Sequence, residues 1–286
     1  MLRKTFLHAK MEYSLWLTNP RMSILLVIIL LINTIVVQPL AGAANQLGQP
    51  LNLLEPLAAL CNSSIILLIL PFGFLVLIAD YPRMTQGFLL QLYRVGRISW
   101  VLGELLELCA VAVTYLAAII CGTMLCTLTA PHFAGSHWST VATDYMAVMG
   151  DDANRLVAEL LPKNLFLQMS PLNAVGRSYL FVFLYLVLIG TVLLAFSLLR
   201  VKFVGVAVNA GVLLSGTGLA LLGSDWMWAL PCAHALTWVH YTEYFRELVF
   251  PLWGSLLYFF LGIAFLTVFT CVLARKRSFD SILEFD

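Results

Sequence analysis

Charge is scarce in this chain: only 11% of its 286 residues are Asp, Glu, Lys or Arg, against about a quarter in a soluble domain. With 61% of residues hydrophobic, that shortage excludes an ordinary soluble globular domain and gives the composition of an integral membrane protein. Several catalytic signatures are also missing. No GxxxxGK[ST] occurs, so the chain has no P-loop with which to hold ATP, and neither HExxH nor GxSxG is present. The six cysteines show no metal-ligand spacing. Cys109, Cys121, Cys126 and Cys271 fall inside apolar runs, where cysteine behaves as a small hydrophobe. Only Cys232 and Cys61 are placed to face an oxidising exterior, so no disulfide framework is indicated. The formal net charge of +1 identifies no partner, and nucleic acid is not expected to be one.

What the chain does have is a series of long apolar runs. Over residues 1–21, Leu2, Phe6, Ala9, Tyr13 and Trp16 recur at helical spacing, with Arg3, Lys4, His8, Lys10 and Glu12 on the other faces. That pattern predicts an interfacial amphipathic helix ended by Asn19-Pro20. Residues 22–40 form a first predicted span. The Ala41-Gly42-Ala43 that follows resembles a signal-peptidase site, but the run is too long for an h-region and reads as a retained span. Residues 60–79 form a second, broken by Pro71 and Gly73.

Residues 98–128 form a third and exceed what a crossing needs. An acidic residue at a span's centre costs on the order of 2.5–3.5 kcal/mol, so Glu104 and Glu107 are expected at the interface, with the helix projecting about two turns beyond it. Residues 129–178 are a polar insert. Two short helices are expected there, at 141–149 and 153–161, parted by Gly150-Asp151-Asp152, whose aspartates suit an N-cap. Residues 179–199 and 204–222 are the fourth and fifth spans, joined by the tight turn Arg200-Val201-Lys202. Residues 223–250 hold Trp226, Trp228, Trp238, Tyr241 and Tyr244, and predict a re-entrant or interfacial hairpin. Residues 251–274 are the sixth span and 275–286 a tail. The expected fold is an all-α polytopic membrane protein with six transmembrane helices.

Six spans put both termini on one side, and the distribution of basic residues says which. With the N-terminus inside, the inner segments hold Arg3, Lys4, Lys10, Arg21, Arg83, Arg94, Arg97, Arg200, Lys202, Arg275, Lys276 and Arg277. Only Arg155, Lys163, Arg177 and Arg246 remain outside.

Candidate sites are few. His234, His240 and Glu243 form an H-x5-H-x2-E string, open to metal ligation or to interfacial polar duty beside tryptophans. His132 and His137 raise the same pair of readings. Asn62-Ser63-Ser64 matches a glycosylation sequon at a span's mouth and reads as chance. On the fifth span Ala207, Gly211 and Ser215 recur every four residues, with Asn209 and Thr217 nearby, a pattern for close helix packing or for a translocation path or dimer seam. Asn33 in the first span and Pro71 in the second raise the same question.

The segment 80–97 is the most informative. Asp80 suits a helix N-cap and Pro82 its first turn. Met84, Phe88 and Gln91 or Leu92 share one face, while Arg83, Arg94 and Arg97 add positive charge for lipid head groups or a partner.

At this point the order of parts resembles the ABC-2 family of ABC-exporter permeases over nearly the whole chain. A basic amphipathic helix with LTNPR leads into span one, and QGFLLQLYRVGRISWVLGE resembles that family's coupling helix running into span three. A tight basic turn joins spans four and five, and an outer hairpin precedes span six. Two departures stand out: Glu104 follows Gly103 where many relatives carry lysine, and the insert is long.

The resemblance implies a multi-pass subunit of a bacterial plasma membrane with no catalytic residue of its own. It would pair with a second permease copy or a similar permease, and dock onto two cytoplasmic ABC ATPase subunits that carry the ATP and Mg. Docking would involve Arg83, Met84, Gln86, Gly87, Phe88, Leu89, Leu90, Gln91, Tyr93, Arg94 and Arg97. The apolar path suggests a hydrophobic or amphipathic cargo such as a peptide, lipid or drug. The alternative expectation is a secondary carrier or membrane scaffold with no ATPase. A cysteine at residue 84 is expected to react with an impermeant thiol reagent only from the cytoplasmic side; labelling from outside overturns this orientation.

Overall fold

The computed structural model describes residues 2–83, 88–150, 154–243 and 247–276, and says nothing of the side chains of residues 88–91. Helices dominate, since apolar segments in lipid must satisfy their backbone polar groups internally. In chain order they are α1 (Leu2–Leu17), α2 (Pro20–Leu47), α3 (Glu55–Asn62), α4 (Ile66–Leu77), α5 (Phe88–Val95) and α6 (Arg97–Thr127). Four short helices fill the insert: α7 (Thr140–Thr143), α8 (Tyr145–Met149), α9 (Arg155–Leu160) and α10 (Lys163–Gln168). Then come α11 (Pro171–Leu198), α12 (Lys202–Leu221), α13 (Pro231–Ala235) and α14 (Leu252–Lys276). Among the described residues, α2, α6, α11, α12 and α14 are long and apolar enough to cross a membrane. The helices α3 and α4 pass that test only as a pair, bent by 85°. The chain is thus an all-α protein built to sit in a membrane, with α11 at its centre and α14 at its rim.

Two predicted spans differ in detail. The first is longer than residues 22–40 and carries Ala41-Gly42-Ala43 inside the helix, with Ala43 buried. It passes through a wide turn at Asn33–Val37, where the Gln38 N–H reaches the Asn33 carbonyl five residues back. Pro39 follows directly and has no amide to donate to residue 35, and the wide turn absorbs that loss. The second predicted span is not one helix. Its break falls at residues 63–65 and not at Pro71 and Gly73, which both lie within α4. Gly73 instead marks a close approach, because a Cβ there would stand 2.6 Å from Ile28 Cδ1 and 3.0 Å from the Tyr115 hydroxyl.

The helix α1 turns toward α6 a face that keeps Ala9 and Trp16 of the expected stripe and adds polar residues beside them. Thr5, His8, Ala9, Glu12 and Trp16 are buried, whereas Leu2 and Phe6 are 86% and 60% exposed. Where lipid is the solvent, apolar side chains gain little by turning inward, and polar ones do. His8 Nε2 stands 2.9 Å from Glu104 Oε1, and the Tyr13 hydroxyl 2.6 Å from Thr114 Oγ1. Glu104 and Glu107 are therefore buried under α1 and do not project free of the bundle.

Both sheet strands are two residues long: β1 (Leu51–Asn52) pairs in parallel with β2 (His132–Phe133), Leu51 opposite His132. This docks the insert on the chain before α3. Glu55, fully buried, accepts from the Ser139 amide and hydroxyl and the Asn52 amide, while Asn52 Nδ2 donates to the Gly135 and His137 carbonyls. Among its described residues the insert holds four short helices where two were expected. Asn154 Oδ1, not an aspartate, caps α9 by accepting from the Leu156 amide; residues 151–153 lie outside the described residues.

The α1–α6 seam depends on Gly103, where a Cβ would meet His8 Cδ2 at 2.6 Å and the Thr5 carbonyl oxygen at 3.2 Å. Gly103→Val is expected to destabilise the detergent-solubilised protein by about 1–3 kcal/mol, read by thermal unfolding. Gly176→Ala, where a Cβ meets nothing within 4 Å, should leave the unfolding midpoint unchanged or slightly raised.

Candidate functional site

Charged side chains converge at one end of the bundle, around Asp80. Arg21 Nη1 lies 3.0 Å from Asp80 Oδ1, Arg83 Nε 3.3 Å from Oδ2, and Asn19 Nδ2 3.5 Å from Oδ2. Lys202 Nζ donates to the Asp80 carbonyl oxygen. Asp80 thus ties the starts of α2 and α12 to its own loop and does not cap a helix. Sequence reading assigned it to capping and missed these partners. The available signal was a lone aspartate on the same side as Arg21 and Lys202.

Next to this cluster the α1–α6 seam is rich in ionisable groups. Burial pulls the His8 imidazole below its ordinary pKa, with Glu12 acting the other way. Burial likewise raises the Glu12 carboxyl, opposed by His8 and Arg83. Both groups are held toward their neutral forms, which suits a seam closed to water.

The helix α5 hangs from the same end. Its backbone leaves α6 at Gly96, whose φ of +88° separates the two helices. Lys4 Nζ donates to the Arg94 carbonyl at 2.8 Å, and Arg97 Nη1 donates to the Arg275 carbonyl at 2.8 Å, at the end of α14. Of the residues expected to dock a partner, Tyr93 is 83% exposed and Arg94 is exposed as well. Arg83 is turned inward to Asp80, with its side chain 16% exposed, and Arg97 is engaged on α14. Met84, Gln86 and Gly87 lie outside the described residues, as do the side chains of Phe88, Leu89, Leu90 and Gln91.

The residues expected at a path or seam do not form one cluster. Ala207, Gly211 and Ser215 line an exposed face of α12, where the Ser215 hydroxyl donates to the Gly211 carbonyl. Asn209 is on the opposite, buried face and donates to the Ile189 carbonyl of α11 at 3.2 Å. Asn33 is half-buried at the wide turn of α2, and Pro71 is buried in α4. No family model, curated protein or solved structure matches this chain.

The histidines of the hairpin do not converge with Glu243. Glu243 sits 3.8 Å from Lys163, whereas both rings converge on Ser255 of α14. His234 Nδ1 and His240 Nε2 each lie 2.8 Å from Ser255 Oγ. The other ring nitrogens face backbone carbonyls, Trp228 O at 2.9 Å and Leu236 O at 3.0 Å. A carbonyl only accepts, so each ring must place its N–H there, and both remaining nitrogens are acceptors. Ser255 has one hydrogen and serves one ring at a time. Among the described residues no group of three metal-ligating side chains occurs, here or elsewhere.

Trp228 and Phe250 pack against both rings, and burial lowers both histidines, His240 to about 4. The unfolded chain takes up the His240 proton near pH 6.5 and the folded hairpin only near 4, so acid favours unfolding between those values. Thermal stability is expected to fall as pH drops through that window, by on the order of 3 kcal/mol from His240. His240→Gln should flatten the slope; an unchanged slope would assign the loss to other groups.

Proposed function

We propose that this chain is the transmembrane subunit of an ATP-driven exporter of the ABC-2 type. A short helix, α5, hinged on Gly96 at the charged end of the bundle, is the observation that carries the reading. Such a helix suits a groove in a cytoplasmic ATPase, and its ties to α1 through Lys4 and to α14 through Arg97 offer a route for force into the spans. The basic residues described at this end (Lys4, Arg21, Arg83, Arg94, Arg97, Lys202 and Arg275) support its being cytoplasmic. Counting the bent α3–α4 pair as one crossing supports six spans with both termini on that side.

On this reading the plasma membrane of a bacterium holds two such subunits on two ATPases, which bind the ATP and Mg. The Ala207, Gly211 and Ser215 face of α12, exposed among the described residues, supports a seam with a second copy or a similar permease. The apolar groove of about 290 Å³ between α2 and α4, lined by Ile28, Leu31, Phe72 and Val76, supports a hydrophobic or amphipathic cargo. The chain supplies no catalytic group. ATP-driven closure of the partners would move α5 and the adjoining turns of α6, changing access to the path.

One observation favours a second reading, a proton-coupled carrier. Glu12, Glu104 and Glu107 are buried where α1 meets α6, and buried carboxylates within a membrane bundle serve proton relays. The two readings separate on the partner. Phe88→Asp with Leu89→Asp is expected to abolish co-purification of an ATPase and substrate-stimulated ATP hydrolysis, while the permease still inserts and unfolds at its normal temperature. An ATPase retained in full amount refutes the docking assignment, and transport driven by a pH gradient alone favours the carrier.

A further inference from the structure

Between α11 and α12, where the hairpin packs on them, lies a cavity of about 200 Å³, separate from the groove between α2 and α4. Ile189 of α11, Val208 and Val212 of α12 and Tyr258 of α14 wall it, and Pro231 at the start of α13 closes it. Gly216 lets the hairpin come this near, because a Cβ there would stand 2.8 Å from Cys232 Cβ. Val208 is 39% exposed and Tyr258 half-buried, so the cavity reaches the surface of the bundle.

One polar side chain on these walls has unused capacity. Asn209 lines the cavity from α12, and its Nδ2 donates to the Ile189 carbonyl at 3.2 Å. A carbonyl only accepts, so the amide nitrogen must face it and Oδ1 points away. Asn209 Oδ1 has no hydrogen-bond partner among the described residues, yet it keeps accessible surface, unlike the Tyr185 hydroxyl on the same walls, which its neighbours seal. Tyr258 spends its hydroxyl hydrogen on the Ala229 carbonyl at 3.1 Å. The side-chain atom that still needs a partner here is therefore Asn209 Oδ1.

Size and charge narrow the class. A cavity of about 150 Å³ lined by Leu, Ile and Phe takes up benzene. This one has room for such a ring with a substituent or a second fused ring. No lysine, arginine, histidine or carboxylate lines it, so an ion would lose its hydration with nothing in return. An acyl chain would fill the space, but it would bring Oδ1 no hydrogen and would lose its own rotational freedom. A rigid, neutral ring with one donor meets all three conditions.

We propose that this cavity binds a small, uncharged aromatic molecule with one N–H or O–H donor, of the indole or phenol class. The donor hydrogen lies on Asn209 Oδ1, and the ring packs between Tyr258 and the aliphatic side chains of α11 and α12. The assignment does not rest on the exporter reading and needs no ATPase partner. It also gives the hairpin a role, because Pro231 closes a cavity that two spans alone would leave open to lipid.

Two probes of the same shape test this: fluoroindole, and fluorobenzofuran labelled at the same carbon, in which an ether oxygen replaces the ring N–H. Each is titrated into the full-length protein in detergent micelles and followed by fluorine NMR, with empty micelles as the blank. Fluoroindole should bind about tenfold more tightly, the difference made by one hydrogen bond to a buried acceptor. Asn209→Leu should erase that difference by weakening fluoroindole, with fluorobenzofuran little changed. Val212→Phe, which fills the cavity and keeps Asn209, should abolish binding of both, and it decides the matter if Asn209→Leu fails to fold. Equal affinity for the two probes would make the cavity a plain apolar pocket for acyl chains and overturn the proposal. Fluoroindole binding left intact by Val212→Phe would overturn it as well.

Discussion

Asp80 gathers Arg21 from the start of α2, Arg83 from its own loop and, through its carbonyl, Lys202 from the start of α12, so that stretches far apart in sequence end at one point. The energy involved is small. The Arg21 and Asp80 side chains are 43% and 30% exposed, and ion pairs of that kind contribute about 0–1 kcal/mol. The contribution of Asp80 is geometric. Without a carboxylate there, three cations would face one another at the end of the bundle where α1 and α5 also attach. The helix α5 attaches at the same end by other means, the Lys4 hydrogen bond to Arg94 and the turn at Gly96.

Much of this architecture was legible in the sequence. The long apolar runs at 98–128, 204–222 and 251–274 became helices with nearly those limits, and the run at 179–199 became one that begins earlier, at Pro171, because lipid leaves an apolar segment no other way to pair its backbone. The tight turn at Arg200 and the irregular hairpin around Trp226 and Trp228 were also readable, from charge and aromatic density. The errors share a cause. Periodicity reports which residues are alike, not which face lies against protein, and in a bilayer those differ. Part of the polar side of α1, with His8, turned inward beside Ala9 and Trp16 because His8 meets Glu104 on α6, whereas Leu2 of the apolar stripe needs no such partner. The second span looked like one run because Asn62-Ser63-Ser64 is short, and proline was the more visible breaker. Pro71 is the third residue of the α-helical part of α4, which begins at Ile69 after a 3-10 turn at Ile66–Leu68, so its missing N–H costs little there.

Of the candidate sites, sequence identified the right segments but not the right partners. The hairpin histidines were visible as a string with Glu243, yet the group that joins them is Ser255, from a helix that begins after the hairpin ends. Chain spacing cannot show a third member contributed by another element. The same limit applies at Asn62, whose amide hydrogens go to the Ala58 carbonyl and to Ser178 of α11.

The last helix, α14, is fastened near both ends: Ser255 bonds to one or the other of two histidines at one, and the Arg275 carbonyl to Arg97 at the other. Between those points an α-helix rises about 30 Å, the thickness of a bilayer's hydrocarbon core. Its flank is otherwise largely open to lipid, so α14 works as a ruler that fixes how far apart the two ends of the protein stand. Register matters as much as length. One residue inserted between the fasteners would turn one of them through about 100° relative to the other, so that only one could be kept. Substitutions along the open flank should be tolerated freely, while changes in its length should not.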